Sequence, residues 1–111
     1  MGNRLQYVGC AEADAELDAL RADIRDVQTD AGSLLKLYLE VLRDGTRDLD
    51  RVPRGPFGSA NLYVVYGRYV VMWFALAGSK VSLVKWLKAG TPYQHQQAQA
   101  DAETRARRLF P

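Results

Sequence analysis

A chain of 111 residues with 48% hydrophobic and 25% charged residues suits one globular domain and excludes extensive disorder. Its single cysteine, Cys10, excludes an internal disulfide and a cysteine-based zinc site, and no metal or cofactor is expected. The net charge of +2 conceals a division: residues 1–50 carry 6 Lys/Arg against 11 Asp/Glu, whereas residues 51–111 carry 9 against 2.

The N-terminus shows no secretory apolar core, and the longest apolar stretch, Tyr69 to Ala77, is far too short to cross a membrane. A soluble cytoplasmic protein is expected. Arg4 to Val8 alternates weakly before Gly9 and is predicted to be a short strand. Ala11 to Gln28 places Leu17, Leu20, Ile24 and Val27 on one helical face. The acids of that segment, among them Glu12, Asp14, Glu16 and Asp18, read as a solvated face. Asp30 or Ser33 can cap a second helix, apolar around most of its circumference and ended by Asp44-Gly45. The two would form an αα-hairpin. Thr46 to Ser59 is predicted to be a loop, with Pro53, Gly55, Pro56 and Gly58 as breakers.

From Ala60 the pattern turns to strands. Leu62–Tyr66, Tyr69–Ala77 and Val81–Leu87 are separated by short turns and read as a meander. Parity in the middle strand puts Tyr69, Val71 and Trp73 on one face and Val70, Met72, Phe74 and Leu76 on the other. Both faces are apolar, so this strand is central. Thr91-Pro92 starts a last helix with a thin stripe of Ala98, Ala102, Ala106 and Leu109, which buries little by itself and is expected to dock loosely, to fray or to wait for a partner. The expected fold is α+β: an N-terminal strand and αα-hairpin on a three- to four-stranded antiparallel sheet, with a C-terminal helix, in one domain spanning residues 1–111.

No acidic residue occurs between Arg51 and Ala100, which points to an anionic partner for this half of the chain. His95 is the only histidine and the natural acid–base candidate. Lys85, Lys88 and Arg68 are candidates for phosphate contact. Tyr63, Tyr66, Tyr69, Trp73, Trp86 and Tyr93 offer stacking surfaces for unpaired bases, and Tyr93, outside the sheet, is the best placed, since aromatics of a meander are usually core. Trp73 reads as core. Arg105 and Arg108 could touch RNA or could simply end a helix.

The order of elements resembles the RelE/ParE superfamily of bacterial toxins, and most nearly its HigB-like, phage-derived branch. Ala13-Asp14-Ala15-Glu16-Leu17 with Leu20 resembles that family's first helix. Leu62 to Tyr69 resembles its apolar strand, Gly turn and aromatic. Val81 to Lys88, then Thr91-Pro92 and the tail Arg105-Ala106-Arg107-Arg108, resembles its last strand and basic C-terminus. The resemblance implies a cytoplasmic toxin held by a cognate antitoxin, a helix-turn-helix protein encoded alongside. It also implies metal-independent, ribosome-dependent cleavage of mRNA. On that basis His95, Lys88 and Tyr93 are the expected catalytic residues, and Arg68, Lys85, Arg54, Arg105 and Arg108 the expected RNA contacts. Val70 stands where the family usually has an arginine, which favours the alternative of a ParE-like gyrase inhibitor. A third alternative is a non-catalytic interaction domain on the same scaffold.

Overall fold

The computed structural model describes residues 6–23, 50–52, 55–90 and 92–111. The predicted second helix, the last turn predicted for the first helix and the candidate Arg54 lie outside them. The described residues form strand β1 (Gln6–Tyr7), helix α1 (Ala11–Asp23), and strands β2 (Asp50–Arg51), β3 (Asn61–Tyr66), β4 (Val70–Ala77) and β5 (Lys80–Lys88). Helix α2 (Pro92–Leu109) completes them. The fold is α+β, as the sequence pattern indicates.

The sheet order is β1-β5-β4-β3-β2. The three long strands form the predicted antiparallel meander, with Val64 opposite Trp73 and Leu76 opposite Val81. Strand β1 differs from its expected antiparallel setting. It runs parallel to β5, with Tyr7 opposite Val81. Residues 8–79 separate the two strands, the long connection that a parallel pair requires and no hairpin could supply.

Alternation in β4 works as its sequence implies. Val70, Met72 and Phe74 pack with Cys10, Ala13, Leu17 and Leu20 beneath α1. Val71, Trp73 and Ala75 pack with Ala98, Ala102 and Ala106 beneath α2. Both faces of this strand are therefore buried, one under each helix. Helix α1 opens at the Asp14 N–H, which donates to the Cys10 carbonyl at 3.1 Å. Glu12 and Asp14 in its first turn complement the helix dipole.

Strand β5 contains a bulge. Trp73 faces Lys85 and Phe74 faces Leu83, which leaves Val84 without an opposite residue. Leu83 packs on the α1 side, Val84 on the α2 side, and Trp86 returns to the α1 side. An extra residue of this kind bends a strand and re-aims a side chain. Here the re-aimed side chain is that of Lys85.

Helix α2 docks firmly, against the loose packing expected from its sequence. Three alanines contribute little apolar area, but their size lets the helix backbone approach Trp73 and Val84 closely. Its C-terminal end is fixed as well. The Phe110 carbonyl accepts from the Ser59 N–H at 2.8 Å and the Ser59 hydroxyl at 3.0 Å. Gly58 permits this contact twice over. Its φ is +64°, and a Cβ there would collide with the Phe110 carbonyl oxygen.

Candidate functional site

Five basic residues of the C-terminal half, Lys85, Arg105, Arg108, Arg68 and Lys88, fall into two groups with opposite surroundings. The first lies where α1, the β5 bulge and the second half of α2 meet. Lys85, with a side chain 11% exposed, donates to the Glu16 carboxylate and, at 3.1 Å, to Asp101. Arg105 donates to Glu16 at 2.6 Å and to the Val84 carbonyl at 2.8 Å. Arg108 donates to Glu12 at 2.8 Å. Glu16 thus receives a lysine and an arginine at once, and its other contact is the Trp86 N–H at 3.4 Å.

This arrangement corrects two expectations. Glu16 is not part of a solvated face; it is the acceptor that joins both helices to the sheet. Lys85 and Arg105 are not presented to RNA, because their charges are used within the protein. A lysine inside the apolar run Val81-Ser82-Leu83-Val84-Lys85-Trp86-Leu87 needs a carboxylate partner if it is buried. The acids spaced four apart at Glu12 and Glu16 were the signal for where that partner lies. The exposed Arg108 is likewise occupied by Glu12.

The titration of this cluster follows from the same contacts. The hydrogen bond from Arg108 holds Glu12 below its usual range. Burial alone would raise Asp101, but hydrogen bonds from Lys85 and Gln97 outweigh it and hold the carboxyl below its usual range. Burial acts to lower Arg105, and the hydrogen bond to Glu16 overcomes it and raises the guanidinium.

The second group lies at the opposite end of α2. Tyr66 closes β3, the Gly67 N–H donates to the Val70 carbonyl at 2.8 Å, and Val70 faces Lys88. The Ala89 N–H donates to the Tyr69 carbonyl at 2.8 Å. The turn carrying Arg68 and the end of β5 carrying Lys88 therefore share one end of the sheet, and α2 begins there at Pro92. Arg68 and Lys88 are exposed, with the Arg68 guanidinium 5.3 Å from the Tyr69 ring centroid. Tyr93, in the first turn of α2, is 76% exposed.

His95 lies on this same turn, but it faces inward. Its ring is stacked on Tyr66 at 5.6 Å and 8°, and tilted against Trp73 at 5.1 Å. Its Nε2 is buried and has no hydrogen-bond partner among the described residues. His95 is an acid–base candidate by residue type, and its Nε2 is shielded from solvent in this arrangement. Trp73 is core, as its parity required. Tyr66, one of the aromatics that offer a stacking surface by residue type, is exposed here although aromatics of a meander usually belong to the core.

Comparison with known protein families, with curated proteins and with solved structures gives no match. Among the described residues, no helix is long and apolar enough to cross a membrane.

Proposed function

We propose that the protein is the toxin of a toxin–antitoxin pair and cuts mRNA at the ribosome in the cytoplasm, without a metal. The observation that carries this reading is the gathering of Arg68, Lys88 and Tyr93 at one end of the sheet, in a stretch of sequence free of acids. The order of strand, helix, antiparallel meander and basic helix supports the same RelE/ParE-like reading. Cleavage by an internal 2′-hydroxyl builds negative charge on the phosphorane. Lys88 and Arg68 would stabilise that charge. Tyr93 presents the exposed hydroxyl for proton transfer at the reacting oxygens. A cognate antitoxin would silence the protein by covering this end.

The test is induction in a bacterial host, with mRNA 5′ ends and DNA supercoiling mapped in the same cells. New 5′ ends within translated regions are expected, and Lys88→Ala and Tyr93→Phe should suppress them. Lost supercoiling with intact mRNA would replace this reading with gyrase inhibition. The inward Nε2 of His95, and the internal pairing of Lys85 and Arg105, favour a second reading: a non-catalytic interaction domain on the same scaffold. Normal growth with intact mRNA and intact supercoiling would establish that second reading over the first.

A further inference from the structure

Trp73, His95 and Tyr66 form a column of rings that runs from the core to the surface. Trp73 is fully buried, His95 is partly buried against it, and Tyr66 at the outer end is 57% exposed. Tyr66 lies parallel to His95, so one ring face is covered. Its exposure leaves the ring open to solvent beyond that contact. A lone tyrosine at a strand end would sample several rotamers. Here the inner face is pinned by an imidazole that is itself set against an immobile indole.

We propose that Tyr66 is a base-stacking platform for single-stranded RNA, and that His95 is the positioning residue that holds it. The inference rests on the RNA-directed reading above and adds the atoms that would grip the base. Stacking needs a flat, ordered, exposed ring, and the His95 contact removes the ordering cost that binding would otherwise incur. Flanking charge has the right sign. Arg68 follows Tyr66 by two residues, and Lys88 stands across β4 at the same end of the sheet, opposite Val70 on the α1 face, while Tyr66 is opposite Val71 on the α2 face. In the described part of α2, the first acid beyond Pro92 is Asp101, and it is committed to Lys85. A base seated on Tyr66 would lie at the end of the sheet that carries the exposed Arg68 and Lys88. The inward Nε2 fits this role, since a backing ring needs no polar contact with RNA.

The test uses the purified full chain and a single-stranded oligoribonucleotide with 2′-O-methyl sugars, which block cleavage, and 2-aminopurine as a stacking reporter. Binding should quench the reporter. Tyr66→Ala should weaken binding by roughly tenfold or more and abolish the quench, while Tyr66→Phe keeps both. His95→Phe, which preserves a flat ring, should bind like the parent, and His95→Ala should lose affinity. The slope of affinity against salt should be unchanged in Tyr66→Ala and shallower in Lys88→Gln, because only the lysine is charged. Parental binding with Tyr66→Ala equally tight would overturn the platform and leave the RNA reading standing. Loss of binding in His95→Phe, with its fold intact by circular dichroism, would overturn the positioning role. No binding by the parent protein at low salt would overturn the platform, and the RNA reading would then be decided by the mRNA 5′ ends mapped in cells.

Discussion

The two ends of helix α2 use polar residues in contrary ways. From Asp101 to Phe110, the polar groups described above are turned toward the protein: Asp101 to Lys85, Arg105 to Glu16 and Val84, and the Phe110 carbonyl to Ser59. From Pro92 to Gln97, every side chain except His95 is exposed. The C-terminal half is a structural joint, and the N-terminal turn is a displayed surface. Cationic residues near a chain end therefore do not share one role. Burial and available carboxylates assign Arg105 to the fold, while Lys88 and Arg68 are exposed at the other end.

The largest expected effect is at the foundation common to both ends. Trp73→Ala should cost about 3–5 kcal/mol, measured by denaturant unfolding, because its cavity underlies α2 and the aromatic column together. Next is Glu16→Gln. It leaves Lys85 and Arg105 without their shared anion, and about 2 kcal/mol is expected, less than for a fully buried pair because Glu16 is 22% exposed. Ala102→Val should cost about 1–2 kcal/mol by pushing the helix away from the sheet. Tyr93→Ala should change stability by no more than about 0.5 kcal/mol. If Glu16→Gln and Tyr93→Ala cost the same, the division between joint and display is wrong.

Acid sharpens the same contrast. Glu12 and Asp101 titrate below their ordinary values of 4.5 and 3.8 in the folded protein. The folded state therefore binds fewer protons than the unfolded chain in that range, and their contribution is complete above it. It is lost as pH falls through the lower, folded values. Thermal scans from neutral to acid pH should show a falling Tm, and hydrogen exchange should report opening first in the second half of α2.

How much of this was visible in the sequence depends on the kind of regularity involved. Alternation in Val70 to Ala77 is strict, so the central strand and its two buried faces could be read directly. The alanine stripe of α2 was visible, but its tight docking was not, because small residues act through what approaches them. The bulge at Val84 has no signature in side-chain type, and it changes the direction of Lys85. Glu16 was misread because helical spacing alone cannot distinguish an acid facing water from one facing a lysine on a distant strand. At the displayed end, Lys88, Arg68, Tyr93 and Tyr66 were candidates by residue type, and the ring contact with His95 that sets Tyr66 apart has no signature in the sequence.

The joint also shapes how the chain folds. Arg105 and Glu16 are 89 residues apart, and Phe110 and Ser59 are 51 apart. Closing such long loops precedes the contacts that stabilise them, and chains dominated by distant pairings fold slowly for that reason. During synthesis, α1 must wait for the last helix before Glu16 meets its guanidinium. The meander can assemble earlier, since its strands are neighbours. A nascent chain stopped before Pro92 would thus lack the helix that covers Trp73 and Val71, and would be prone to aggregate until translation is complete.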